Sequence, residues 1–153
     1  MTREQLLIGN AENIADYIIT ISIKSDNPVN NLKLQKLLYY TQAAFLVEGK
    51  ECFEEDLYWY RYGPTMPEVL KKFGYYGNEP IKYHKCDNPT LTKEEQRLIE
   101  EVVYSYKDYS AMDLIRKVLQ EDPRESGFTR IRKQEIKNYY TNHKDLIYGN
   151  YRF

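Results

Sequence analysis

The chain has 153 residues, 29% of them charged and 14% aromatic, with 23 acidic side chains against 22 basic ones. That length suits one domain with a real core, and so many rings argue against disorder. A net charge of −1 gives no global attraction to nucleic acid or to an anionic membrane.

Thr2 and Gln5 form a capping box for a first helix over about 5–24, striped by Leu7, Ala11, Ile14, Tyr17, Ile18 and Ile21. Pro28 stops it, because the residue before a proline is pushed out of the helical region. A second helix over about 32–48 is the pivot. Leu34, Leu37, Leu38, Thr41 and Phe45 share one face, Tyr40, Ala43 and Val47 widen it, and polarity is confined mainly to Gln35, Tyr39 and Gln42. Such a helix must be covered on several sides. Asn31 stands at its N-cap position and Gly49 at its stop.

The least helical stretch follows. Glu51 to Tyr62 predicts a small antiparallel hairpin near 51–62, turning at Glu54-Glu55-Asp56, with Leu57-Tyr58-Trp59-Tyr60-Arg61-Tyr62 as strand material closed by Gly63-Pro64. At period two Tyr58, Tyr60 and Tyr62 share one face while Trp59 and Arg61 share the other. Thr65 and Glu68 form a capping box for a short helix over about 66–73. A loop over about 75–91 contains Ile81-Lys82-Tyr83, which could add a short strand. Thr92/Glu95 and Ser110/Asp113 open helices over about 93–107 and 111–121, and a last helix spans about 132–143. Residues 144–153 read as a loosely held tail. The fold class is α+β, mainly α: about six helices around the 32–48 helix with one small hairpin, in a single domain over 1–153.

The search for chemistry is empty. Zinc needs three or four convergent ligands, and there is no Cys-x-x-Cys or His-Glu-x-x-His; His84 and Cys86 read as ordinary loop residues. No nucleophile elbow or phosphate loop occurs, and Cys52 and Cys86 are too few for a disulfide framework. The acidic runs are adjacent carboxylates of the kind that sit solvated on turns and helix exteriors. No catalytic residue, metal or cofactor is expected. No cationic segment followed by an apolar one opens the chain, and no run is long enough to span a membrane, so the expectation is a cytoplasmic protein.

Two stretches suit binding. From Arg130 onward six basic side chains, Arg132, Lys133 and Lys137 among them, face two acidic ones, with tyrosines interleaved. That pattern can hold phosphates and stack bases, so a nucleic-acid-binding regulator using 130–144 is the alternative function, weakened by the overall charge. The sixteen tyrosines as a set reflect base composition, since Tyr, Lys, Asn and Ile share A/T-rich codons. In the hairpin, however, Trp59 and Arg61 are residue types that anchor protein interfaces.

Leu32-Lys33-Leu34-Gln35-Lys36-Leu37-Leu38-Tyr39-Tyr40, then Tyr60-Arg61-Tyr62-Gly63-Pro64 and Pro67-Glu68-Val69, resemble the Panacea domain of the SocA-like antitoxin family, also called phage-associated or GepA-like proteins. The order and spacing match over about 32–121. One departure stands out. Family members often carry Thr-His-x-Glu-x-Pro-Trp after the fifth helix, whereas Val118-Leu119-Gln120-Glu121-Asp122-Pro123-Arg124 keeps the Glu and Pro but neither His nor Trp. The resemblance implies a non-enzymatic domain that neutralises a cognate toxin by direct binding, often encoded beside it on a mobile element. It makes Lys33, Gln35, Lys36, Tyr39, Tyr40, Tyr62, Gly63 and Pro64 motif residues, structural or partner-binding. Trp59, Arg61 and Gln42 are candidates for the toxin surface. A homo-oligomer is left open. Some relatives deliver their toxin to a Clp protease, but no motif here carries that role over.

Overall fold

The computed structural model describes residues 7–82 and 84–149. Six α-helices lie among them: α1 (Ala11–Lys24), α2 (Asn31–Val47), α3 (Pro67–Lys72), α4 (Lys93–Ser105), α5 (Ala111–Val118) and α6 (Lys133–Thr141). Strands β1 (Leu57–Tyr60), β2 (Gly63–Thr65) and β3 (Arg130–Ile131) form one antiparallel sheet in the order β2-β1-β3. The α+β, mainly helical class is as the sequence implies.

Helix α2 is the hub. It touches α1, α3, α4, α5, α6 and β2, and all its residues except Leu32 and Val47 are buried. Its N-cap is Asn30, one residue earlier than expected, whose side chain accepts from Lys33 N; Gly49, at φ 85°, follows its end. Helix α1 starts at Ala11 with an Asn10/Asn13 capping box. The Thr2/Gln5 box lies outside the described residues, and residues 7–9 are not helical, with Ile8 and Gly9 N–H donating to Glu51 and Cys52 carbonyls.

The hairpin lies further along the chain than expected. Its turn is Arg61-Tyr62, with Tyr60 opposite Gly63, Trp59 opposite Pro64 and Tyr58 opposite Thr65. Gly63-Pro64 therefore belongs to the second strand instead of closing the hairpin. The acidic run acts as a set of tethers: Glu55 accepts from Ala11 N at the start of α1, where a carboxylate complements the helix dipole, and Asp56 pairs with Lys133 at 3.2 Å. Among the described residues the third strand is Arg130–Ile131, paired with Tyr58 and Leu57; of the expected Ile81-Lys82-Tyr83 strand, Ile81 and Lys82 are in no strand and Tyr83 lies outside the described residues. Thr65 does not cap α3; it is buried in β2 and its hydroxyl donates to Gly63 O. The stretch expected as a loose tail docks as far as Gly149: Lys144–Ile147 forms a 3-10 turn, Ile147 is buried, and Gly149 N donates to Ser105 Oγ.

A braced central helix and an exposed aromatic rim

The polar side chains of α2 turn inward and bond backbone groups of the segments around it. Lys33 Nζ donates to the carbonyls of Tyr106 (2.8 Å) and Tyr109 (2.6 Å), just past the end of α4, where unpaired carbonyls and the helix dipole favour a cation. Gln35 accepts from Met66 N at 2.7 Å and donates to Asn31, which donates to Leu70 O, so one relay spans both ends of α3. Lys36 Nζ donates to Pro64 O at 3.1 Å, tying β2 to the hub. Gln42, expected on the partner surface, is 1% exposed; it accepts from Cys52 N and donates to Phe53 O. A buried amide that reads both N–H and C=O of an irregular segment satisfies groups that would otherwise be orphaned.

Tyr39 and Tyr40 join a buried cluster with Tyr106 and Tyr140. Glu121 organises it: one carboxylate oxygen accepts from the hydroxyls of Tyr40 (2.9 Å) and Tyr140 (3.0 Å), the other from Lys117 Nζ (3.0 Å). Lys117 also lies 4.3 Å from the Tyr40 ring centroid. Burial pushes the phenols of Tyr40, Tyr106 and Tyr140 far up, so they remain donors. Burial pulls Lys33 and Lys117 down, partly offset by Asp108 for the first and Glu121 for the second. Lys36, with no carboxylate beside it, is pulled down by burial to about 8. The sequence marked Glu121 only as a motif residue; its i,i+4 spacing from Lys117 was the available signal.

The hairpin tip points the other way. Tyr60 and Tyr62 are each 43% exposed and Arg61 is exposed, its guanidinium 5.4 Å from the Tyr62 ring centroid. Gly63, at φ 94°, has Val118 and Leu119 beside it; a Cβ there would lie 2.9 Å from Val118 Cγ1. Leu119 (43% exposed), beside Gly63, and Phe128 (71%), next to Thr129, which pairs with Trp59, flank the hairpin as further exposed apolar side chains. Trp59 is half-buried, covered by Arg124 at 4.9 Å, and its backbone N–H donates to Thr129 O. Arg124 is itself held by both oxygens of Asp122.

Among the C-terminal basic residues, Arg130, Arg132 and Lys133 have acidic partners. Lys133 Nζ donates to Glu54 O and Asp56, and Arg132 pairs with Glu135 at 3.4 Å. Lys137 lines a shallow cleft with Lys50 and Gln134. No helix among the described residues is long and apolar enough to cross a membrane.

These features define a small, mainly helical domain built on a central helix whose polar side chains brace its neighbours, with an aromatic hairpin left exposed. The chain belongs to the Antitoxin SocA-like, Panacea domain family, whose profile matches residues 34–123. Among curated proteins it is similar to "Antitoxin SocA" of Caulobacter vibrioides (strain NA1000 / CB15N), 28% identical over 118 residues. That alignment covers 69% of this chain and 63%, less than two thirds, of the relative. No solved structure matches the chain.

Proposed function

We propose that the protein is a non-enzymatic antitoxin that binds a cognate toxin directly, using the rim of Tyr60, Arg61, Tyr62, Leu119 and Phe128. Family membership carries the antitoxin reading. The choice of surface rests on a contrast: the motif residues of the central helix are spent inside the domain, while the hairpin keeps rings and a guanidinium in solvent. Tyr and Arg side chains on a rigid hairpin lose little entropy on docking and dominate protein interfaces.

The test uses the open reading frame next to this gene in its native host. Its product alone should arrest growth and co-expression should restore it. Replacing Arg61 by Glu together with Tyr62 by Ala should abolish rescue and co-purification while leaving the helical circular dichroism unchanged. Rescue that survives this pair sinks the surface assignment; a neighbouring product without toxicity sinks the antitoxin reading. The nucleic-acid alternative gains nothing from the geometry, because Lys133 and Arg132 already have acidic partners.

A further inference from the structure

Asp16 is an anomaly on α1. It is 1% exposed on a helix whose buried neighbours are Ile14, Ala15, Ile18 and Ile19, so its carboxylate has left water without an apolar reason. One oxygen, Oδ2, accepts from Asp87 N at 2.8 Å. The other, Oδ1, is buried and has no hydrogen-bond partner, and neither has the buried Nε2 of His84. These two atoms face each other at 3.3 Å without hydrogen-bond geometry. Cys86 completes the group: the donor atoms of Asp16, His84 and Cys86 all lie within 4.8 Å of one another.

We propose that Asp16, His84 and Cys86 form a zinc site, with Asp16 Oδ1, His84 Nε2 and Cys86 Sγ as ligands and water in the fourth position. The spacing fits. Zn–O and Zn–N bonds of about 2.1 Å at a tetrahedral angle put the two donors about 3.4 Å apart, close to the 3.3 Å between Oδ1 and Nε2. The chemistry fits as well: carboxylate, imidazole and thiolate suit a borderline divalent cation, and two anionic ligands with a neutral imidazole neutralise Zn²⁺. The supporting shell exists. The Asp87 N–H fixes Oδ2 and so turns Oδ1 toward the site, and the Phe73 ring packs edge-on against His84 at 4.7 Å. Lys72, whose Nζ is 4.0 Å from Oδ2, sits on the far oxygen and is partly solvated.

The site also has a structural use. Residues 78–92 hold no helix or strand among the described residues, near the length of about 12–15 at which unstructured loops become uncommon in compact domains. The loop is pinned by Ile81 N to Val29 O and by Asp87 N to Asp16. A metal joining His84 and Cys86 to Asp16 would clamp its middle to α1.

The experiment is a titration of the reduced full-length protein with Co²⁺, followed by displacement with Zn²⁺. The expected result is a one-to-one complex with tetrahedral ligand-field bands and a thiolate-to-cobalt charge-transfer band, bleached by Zn²⁺, and a melting midpoint that rises with Zn²⁺. Cys86→Ser should remove the charge-transfer band, which rules out the buried Cys52 as its source. Both Cys86→Ser and His84→Gln should weaken Zn²⁺ binding by at least about 100-fold in competition with a chromophoric chelator. Both lie on the loop and spare the core, and circular dichroism checks their folding. Octahedral cobalt spectra, a charge-transfer band that survives Cys86→Ser, or equal Zn²⁺ affinity in the wild type and both variants overturns the proposal. The last outcome would leave Asp16 and His84 as a plain ion pair. Metal binding is read without any toxin, so its failure says nothing about the antitoxin reading.

Discussion

Lys36 offers the sharpest test of the bracing arrangement. Its ammonium is 1% exposed, bonded to Pro64 O, and burial lowers its pKa from 10.5 to about 8. That gap corresponds to about 3 kcal/mol against the charged form in the folded chain. Below about pH 8 folded and unfolded chains both carry the proton, so the folded state bears the whole cost. Between about 8 and 10.5 the unfolded chain keeps a proton that the folded chain has released, and stability rises with pH. From pH 7 to pH 10 the gain is about 2.5 kcal/mol. Lys36→Met preserves the stem and removes the charge, at a cost of about 1–3 kcal/mol for leaving the buried Pro64 carbonyl without its donor. At pH 7 the variant should therefore be at least as stable as the wild type, by about 1 kcal/mol, and at pH 10 less stable by a similar amount. Urea denaturation in reductant, followed by far-ultraviolet circular dichroism at four pH values, measures the difference. The carbonyl cost cancels in the slope, so the swing of about 2.5 kcal/mol is the decisive quantity. A difference that stays flat from pH 7 to pH 10 would refute the claim that this lysine is held as a buried, unpaired cation.

Three further outcomes are expected. Glu121→Ala strips the acceptor from Tyr40, Tyr140 and Lys117 and should cost about 3–5 kcal/mol by chemical denaturation; a loss below about 1 kcal/mol would mean the cluster is not buried as described. Gly63→Ala forces a Cβ to 2.9 Å from Val118 Cγ1 at a φ of 94°, and should lower stability by about 1–3 kcal/mol in a thermal melt, whereas Gly77→Ala, where nothing lies within 4 Å, should show the φ strain alone. Glu135 is pushed up by burial, but the N–H groups of Arg132, Ser126 and Glu125 with the Arg132 guanidinium more than offset that and hold its carboxyl near 2, below its usual 4.5. Its stabilisation is complete above 4.5 and lost as pH falls toward about 2, so Glu135→Gln should flatten the acid limb of the stability profile between those values.

The starts of α4 and α5 were readable because their signals are local. The Thr92/Glu95 and Ser110/Asp113 boxes form as the spacing predicts, and Gly49 follows the end of α2. The hairpin's position was not readable, for two reasons. Arg61-Tyr62 carries no turn residue of its own, and β1 takes its second neighbour from Arg130–Ile131, a pairing that only the tertiary fold creates. The capping box at Thr65 fails because the sheet claims that residue; the N-cap falls on Met66, whose N–H donates to Gln35 from another helix. Gln42 was misjudged because amphipathic logic assigns polar side chains to solvent, which fails when each polar atom finds a backbone partner. Asp16 lies on a different element from His84 and Cys86, so no local ligand spacing could reveal their meeting.

The central-helix part of the family motif and the proposed partner surface answer to different constraints; of the motif residues, Tyr62 alone also belongs to the rim. Lys36 holds Pro64, Gln35 holds Met66, and Lys33 holds the carbonyls that follow α4, so changing any of them moves the hairpin or a helix end. On the proposed function, a toxin cannot read side chains that lie inside the domain; it can read only what they position. What they position is a hairpin whose tip rings are free of such duties. The departure near residue 124 lies against the hairpin, where Arg124 covers Trp59. Where relatives often carry Trp, this chain has Arg124, locked by Asp122 and laid over Trp59, a ring supplied by the hairpin itself. A cation over an aromatic face keeps a packed platform behind the rim while changing its charge. On that proposal, partner choice can shift at the rim and at position 124 without disturbing the braces, because among the described residues the exposed rings and the buried amides share no hydrogen bond.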